Sequence, residues 1–142
     1  MAKLWEKTPY GIGKYAGGNP VKGEGADCSG ATWKIYEEAG FSYGSYQSTA
    51  TFRTLVGADA NFVKGKHFFK KVDTPQVGDI GWWDGHMVIY DSKAGPTVAN
   101  KKIDGDVWSA SKPGGNDFGS ARTSFYTKKY GAVTWHRYWK KP

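Results

Sequence analysis

Apolar positions recur at helical spacing in the first third of the chain, directly after a glycine-rich stretch. They are Cys28, Ala31, Ile35 and Ala39. Residues three to four positions apart share one face of a helix, so this pattern predicts a helix over residues 28–39 with a buried face. Asp27 can cap its first turn and Gly40 can end it. The cysteine therefore lies in the first helical turn.

A second, shorter helix is predicted to start at Ser48 or Thr49. It would carry Phe52, Leu55 and Val56. Residues 10–26, which precede the first helix, are rich in glycine and predict an irregular loop.

Beyond residue 75 the pattern changes to short β-prone runs separated by turn residues. The predicted strands are residues 80–83, 86–91, 97–101, 107–110 and 133–139. The predicted turns are residues 84–85, 93–96, 104–105 and 113–116. Helices in front and strands behind predict an α+β fold, with N-terminal helices packed on a central antiparallel β-sheet. No repeat or linker divides the chain, so we expect one domain over residues 1–142.

Composition agrees with a globular domain and narrows the possible partners. Hydrophobic residues make up 39% of the chain and charged residues 23%, and no apolar run approaches the ~20 residues of a membrane span. The first residues lack the apolar region of a secretory signal, so we expect synthesis in the cytoplasm without a signal peptide. The net charge of +7 favours polyanions such as nucleic acid, an anionic membrane surface or the bacterial wall. No nucleic-acid recognition motif accompanies the lysines, so we expect no specific nucleic acid.

The single cysteine, Cys28, is the strongest candidate for chemistry. It can form neither an internal disulfide nor a thiolate zinc site, so it is either a buried structural thiol or a reactive one. A helix N-terminus favours the thiolate, which is the nucleophilic form. Gly30 would leave room beside the sulfur for a substrate backbone, and the Cys28 N–H could donate to an oxyanion.

A cysteine nucleophile needs a base that can also protonate the leaving amine. Of the three histidines, His86 follows a turn and opens an apolar strand, where its side chain can face a cleft. His67 lies in a lysine-rich connection and His136 alternates with aromatics in the last strand, so surface or packing roles are expected for both. The sequence thus favours His86 as the base.

A third polar group usually holds the imidazole in one tautomer. If the strand after His86 turned through residues 93–96 and returned antiparallel, residues near 100 would lie beside it, which nominates Asn100. Ser109 and Ser111 are alternatives, and Asp104 is a more distant one. The chain has no phosphate-binding loop and no paired metal-binding histidines, so we expect neither a metal nor a cofactor.

Four ordered segments resemble the NlpC-type papain-like peptidases, which cut peptidoglycan stems. These are a tyrosine and double-glycine segment at residues 15–18, the nucleophile motif Asp-Cys-Ser-Gly at 27–30, a Pro-Gly-Asp turn at 75–80 stretched by two residues, and a Gly-His strand at 85–90. The resemblance implies a papain-like fold with Cys28 as nucleophile and His86 as base. It also implies that Tyr15 lines the cleft and helps bind the oxyanion, and that Asp27 and Ser29 shape the substrate side. The family usually has His, Asn or Gln at the third position, which Asn100 suits by spacing.

The later segments 106–111, 113–119 and 134–138 look similar to the ending of compact amidase toxins, some of which type VI secretion delivers between bacteria. This likeness implies action in the periplasm of a target cell, peptidoglycan as the substrate and an immunity protein as a partner. The scissile bond would be D-glutamyl to diaminopimelate within a stem, or the crosslink between diaminopimelate and D-alanine. We expect a monomer.

Two other function classes stay open. One is a non-catalytic module that keeps the fold and holds cell wall or nucleic acid through its basic, aromatic surface. The other is a cysteine hydrolase or acyltransferase that acts on lipids or proteins; many lipid-directed relatives place His before Cys, whereas here Cys28 precedes His86.

Overall fold

The structure is a computed structural model. It describes residues 2–5, 8–10, 15, 17–52, 56–57, 69–94, 97–98, 101–102, 105–110 and 118–138. In this part of the chain, none of the helices has the length and apolar character needed to span a bilayer.

Helix α1 comprises Cys28–Glu38 and begins where the sequence predicts. The Asp27 side chain caps it by accepting a hydrogen bond from the Gly30 N–H at 2.7 Å. The helix ends before Gly40, whose φ of 87° is a left-handed conformation that glycine adopts without strain. The prediction of a helix over residues 28–39 is confirmed to within one residue. A short 3₁₀ helix, Ala2–Trp5, precedes it.

Among the described residues the main sheet has seven strands: Val56–Gly57 (β1), Phe69–Val72 (β2), Ile80–Trp83 (β3), His86–Ala94 (β4), Gly105–Ser109 (β7), Gly119–Ala121 (β8) and Thr134–Tyr138 (β9). They lie side by side in the order β1-β2-β9-β3-β4-β7-β8. Two short strands, Thr97–Val98 (β5) and Lys101–Lys102 (β6), pair in a separate sheet. All neighbours in the main sheet are antiparallel except β1 and β2.

The sheet buries apolar side chains on both faces, because successive residues of a strand point to opposite sides. On the face that packs against α1, here called the α1 face, β4 contributes Met87 and Ile89 to a core that also contains Cys28. A second helix, α2, comprises Thr123–Tyr130 and lies between β8 and β9 in the chain. Its buried residue, Tyr126, packs with Val88 on the opposite face of the sheet, here called the α2 face. The α+β class, with a helix packed on a largely antiparallel sheet, is therefore confirmed.

The prediction that a second helix extends from Ser48 to Val56 is wrong. Ser48 does begin a turn, since its carbonyl accepts from the Phe52 N–H at 2.9 Å, but Val56 lies in β1 and pairs with Phe69. The parallel pairing of Val56 with Phe69, 13 positions along the chain, overrides the local pattern, because tertiary contacts routinely outweigh helix propensity. Leu55 lies outside the described residues.

The strand predicted over residues 97–101 is also wrong. Thr97 pairs with Lys102 and Val98 with Lys101, so this stretch contains two antiparallel strands. The predicted turn at residues 93–96 begins too early, because β4 continues to Ala94. The predicted turn at 104–105 includes Gly105, which belongs to β7. The strand predictions at 80–83, 86–91, 107–110 and 133–139 are confirmed within three residues for their described parts.

Candidate active site

The Asp27 carboxylate joins the start of α1 to the preceding loop. Its Oδ1 accepts from the Gly30 N–H at 2.7 Å and from the Ser29 hydroxyl at 3.3 Å, while its Oδ2 accepts from the Gly17 N–H at 2.7 Å. The Ser29 hydroxyl also hydrogen-bonds the Tyr46 hydroxyl at 2.7 Å. Asp27 therefore holds the loop around Gly17 against the helix N-terminus, and Ser29 holds Tyr46, which follows the helix, against the same end.

Gly30 is required by the chain's own backbone. A Cβ at this position would overlap the Gly17 carbonyl oxygen and come within 2.9 Å of the Asp27 Oδ1. The expectation that Gly30 leaves room for a substrate backbone is therefore wrong, because the Gly17 carbonyl fills that space.

The Cys28 thiol is buried, with 7% of the residue exposed. The main-chain N–H groups of Met87, Ser29 and Cys28 itself interact with the sulfur and lower its pKa. Burial, followed by the Asp27 carboxylate, outweighs them and raises the pKa of the thiol to about 12. The expectation that the helix N-terminus holds a thiolate is therefore wrong for this conformation, in which the thiol is neutral at pH 7.

His86 is the first residue of β4, and its ring lies on the α2 face. The imidazole stacks on Tyr126 with ring centroids 4.3 Å apart, and it lies parallel to Tyr130 at 5.5 Å. Its Nε2 is 2.9 Å from the Ser109 hydroxyl oxygen. Burial, followed by the nearby Lys129, lowers the pKa of His86 to about 4, so the imidazole is also neutral at pH 7.

Cys28 lies next to the backbone that follows His86, but the sulfur and the imidazole are not in contact. The Met87 N–H, which directly follows His86, interacts with the Cys28 sulfur. The His86 side chain, however, shares the α2 face with Trp83 and Val88, whereas Cys28 lies in the core of the α1 face. Among the described residues, no hydrogen bond joins the sulfur to the imidazole. The structure therefore brings the two residues close in the fold and leaves the pair unassembled.

The third catalytic position rested on a hairpin that the sheet does not contain. Near His86, β4 pairs with β3 on one side and continues beside β7 on the other, with Ile89 opposite Trp108. The argument that placed residues near 100 beside His86 is therefore wrong, and Asn100 itself lies outside the described residues. Ser111 and Asp104 also lie outside them. The alternative Ser109 is the residue that contacts the imidazole.

Tyr15 contacts Glu24 and Gly25. Its hydroxyl donates to Glu24 at 3.4 Å, and a Cβ on Gly25 would come within 2.6 Å of its ring. Tyr10 forms a β-bridge with Ala26 and packs against the core that contains Cys28.

Three tyrosines lie close enough to Cys28 to interact with its sulfur when it is ionised. Burial raises the pKa of Tyr10 to about 12 and also raises the pKa values of Tyr43 and Tyr46, and Cys28 contributes to all three shifts. No local motif distinguishes these residues among the nine tyrosines, so sequence reasoning could not have found them.

His136 has the packing role that the sequence favours. It is 5% exposed, its Nε2 is 2.9 Å from the Thr134 hydroxyl, and its ring meets the edge of Phe52. Burial, followed by Lys71, lowers its pKa to about 4. His67 lies outside the described residues.

Within the described part of the chain, no group of three or more His, Cys, Asp or Glu side chains is arranged to hold a metal ion. No family model, no curated protein and no solved structure matches this chain.

Proposed function

We propose that this chain is a cysteine hydrolase of the NlpC-type papain-like class and that it cleaves amide bonds in peptidoglycan peptide. The observation that carries this proposal is that the two motif segments pack together: Cys28 opens α1, and Met87, which directly follows His86 in β4, lies in the same buried core as Cys28. The ordered sequence motifs supply the family and the substrate class.

The reaction is acyl transfer. His86 takes the proton of the Cys28 thiol and the sulfur attacks the amide carbonyl. The C–N bond then breaks as the protonated imidazole delivers that proton to the leaving amine. Water then attacks the thioester, which gives the carboxylic acid product and regenerates the thiol. The Cys28 N–H, at the first position of α1, is the proposed donor to the oxyanion.

The proposal includes a rearrangement that assembles the pair. In the described conformation both groups are neutral and the imidazole faces Tyr126, so the sulfur is not activated. His86 follows Gly85, whose φ is 99°, and is the first residue of β4, so the rearrangement must break its stacking on Tyr126 and its contact with Ser109. We propose that substrate binding brings the imidazole from Tyr126 to the sulfur.

Delivery and partners rest on resemblance alone. We propose, from the likeness of segments 106–111, 113–119 and 134–138 to amidase toxins, that the protein acts in the periplasm of a target cell after type VI secretion. An immunity protein would neutralise it in the producing cell. Expression directed to the periplasm should then be toxic, and absence of both toxicity and a tightly binding protein encoded beside it would remove this part of the proposal.

Digestion of purified peptidoglycan tests the activity. Wild-type protein and Cys28→Ala are incubated with peptidoglycan, and the released fragments are weighed by mass spectrometry. Fragments from the wild type alone would support a Cys28-dependent amidase, and their masses would identify the bond. If neither protein releases fragments while both are folded, the proposed activity is wrong.

The unassembled pair favours a second candidate, a wall-binding module without catalysis. The raised pKa of Cys28 and the lowered pKa of His86 are both unfavourable for a thiolate–imidazolium pair. Such a module would sediment with insoluble peptidoglycan equally well as wild type and as Cys28→Ala, and it would release no fragments. Loss of binding in the variant would exclude this candidate.

A further inference from the structure

One hydroxyl and two tyrosine rings surround the His86 imidazole. The ring stacks on Tyr126 with centroids 4.3 Å apart and lies parallel to Tyr130 at 5.5 Å, and its Nε2 is 2.9 Å from the Ser109 hydroxyl oxygen. His86 and Ser109 are each 4% exposed. The tyrosine rings fix the plane of the imidazole, and within the described residues Ser109 is its hydrogen-bonding partner. Ser109 therefore determines which ring nitrogen carries the proton.

The other contacts of the Ser109 hydroxyl determine its direction. In the described part of the chain, the oxygen has three hydrogen-bonding neighbours: Nε2 of His86 at 2.9 Å, and the carbonyl oxygens of Met87 and Ala110, each at 3.3 Å. A hydroxyl donates once and can also accept, whereas a carbonyl oxygen only accepts. Of these three neighbours, the imidazole is therefore the one that can donate to Ser109.

The number of hydrogen bonds selects the tautomer of His86. If the Ser109 hydroxyl donated to Nε2, these four groups would share one hydrogen bond. If it donates to a carbonyl and accepts from Nε2–H, they share two. Each hydrogen bond made in a buried site stabilises the conformation, and each buried group left unpaired destabilises it. The contacts therefore favour the tautomer with the proton on Nε2 and leave Nδ1 unprotonated.

We infer that Ser109 is a positioning residue for His86, with two effects. It selects the Nε2–H tautomer, which leaves Nδ1 as the atom that takes the Cys28 thiol proton and passes it to the leaving amine. Its hydroxyl also holds the imidazole against Tyr126 and away from the sulfur until substrate binds. This inference rests on the proposed hydrolase, in which the imidazole must leave Ser109 before the pair assembles. Ser109 therefore stabilises the resting arrangement rather than the assembled one.

The tautomer is measured on the wild-type protein, so this test does not depend on a variant that folds. Long-range proton–nitrogen correlation spectra of the labelled full chain are recorded near neutral pH, where the imidazole is uncharged, and the signals are assigned with His86→Gln. We expect the Nε2 of His86 to have the chemical shift of a protonated nitrogen and Nδ1 that of an unprotonated one. An unprotonated Nε2 would overturn the inference.

Removal of the hydroxyl tests whether it holds the imidazole away from the thiol. Ser109→Ala leaves the Nε2–H of the resting arrangement buried without its partner, so the equilibrium should shift toward the assembled pair. We expect alkylation of Cys28 by iodoacetamide and release of peptidoglycan fragments to be about tenfold faster than in the wild type. If neither protein releases fragments, the proposed hydrolase is wrong, whereas the tautomer and the alkylation rate still test the role of Ser109.

Two controls separate this effect from a general loosening of the fold. The Thr134 hydroxyl lies 2.9 Å from Nε2 of His136, another buried imidazole, so Thr134→Ala removes a matched contact outside the proposed reaction and should leave both rates unchanged. The gain in Ser109→Ala should disappear in Ser109→Ala/His86→Gln, because it acts through the imidazole. The inference is wrong if Ser109→Ala is alkylated no faster than the wild type, if Thr134→Ala shows an equal gain, or if the double variant keeps the gain.

Discussion

Acidification tests whether His86 is buried and neutral, as the structure describes. The residue is 4% exposed, and burial followed by Lys129 lowers its pKa from 6.5 to about 4. His136 is buried to a similar extent on the other face, and its pKa is also about 4. Both imidazoles should therefore resist protonation at a pH where the unfolded chain already takes up protons.

The sign and size of the effect follow from proton linkage. Between pH 6.5 and about 4 the unfolded state binds a proton at each histidine and the folded state does not, so the free energy of unfolding falls as the pH falls through this window. This difference in pKa between the unfolded and the folded state corresponds to roughly 3 kcal/mol of unfolding free energy for each buried histidine. Since domains of this kind are stable by about 5–15 kcal/mol, the two together would remove a large share of the stability.

Urea denaturation followed by tryptophan fluorescence measures this loss at about pH 7 and about pH 4.5, for the wild type and for His86→Gln. Of the two buried histidines described, the variant retains His136, so its stability should fall by about half as much. Side-chain NMR of the wild type, assigned with the same variant, gives the pKa of His86 directly. A midpoint at or above 6.5 would refute the reasoning and would indicate an imidazole beside an anion, as in an assembled pair with the Cys28 thiolate.

Three further predictions concern the helix N-terminus and α2. Alkylation of Cys28 by iodoacetamide near neutral pH should be roughly a thousandfold slower in the folded protein than in urea, because the pKa rises from 9.0 to about 12; equal rates would contradict the burial of the thiol. Gly30→Ala should destabilise the protein by about 1–3 kcal/mol in urea denaturation, because its Cβ would meet the Gly17 carbonyl. In the control Gly18→Ala, the nearest neighbour of the Cβ would be 3.5 Å away, so the free energy of unfolding should change by no more than about 0.5 kcal/mol. Similar losses in the two variants would show that the close approach at Gly30 is absent. Tyr126→Ala should lower the free energy of unfolding by about 3–5 kcal/mol and raise the pKa of His86, because it exposes the imidazole ring. Phe125→Ala, at an exposed position of α2, should change neither quantity. An unchanged pKa of His86 in Tyr126→Ala would mean that α2 does not cover this residue.

Elements specified by neighbouring residues could be predicted from the sequence. The start of α1 depends on the cap at Asp27 and on apolar spacing within the helix, and both are local. The hairpin of β3 and β4 depends on two apolar runs around Asp84 and Gly85, and Gly85 adopts the positive φ that such a turn requires. These predictions are confirmed because no distant contact opposes them.

Elements specified by distant contacts could not be predicted from the sequence. The pairing of β4 with β7 skips β5 and β6, and no local signal indicates this connection, so the nomination of Asn100 had no sound geometric basis. Helix α2 escaped prediction because Tyr126 is its only buried residue, which leaves no apolar periodicity to detect. The orientation of His86 depends on that helix, through Tyr126, and on Ser109.

The central claim, that Cys28 and His86 act together on wall peptide, is tested most directly by a double-mutant comparison. The initial rate of fragment release from peptidoglycan is measured for Cys28→Ala, His86→Gln, the double variant and His136→Gln. Residues that act as a unit show non-additive losses, so each single variant should lose at least about a hundredfold and the double variant should lose no more than the worse single one. His136→Gln, if folded, should retain the wild-type rate. Full activity in His86→Gln, or losses that multiply in the double variant, would contradict the account.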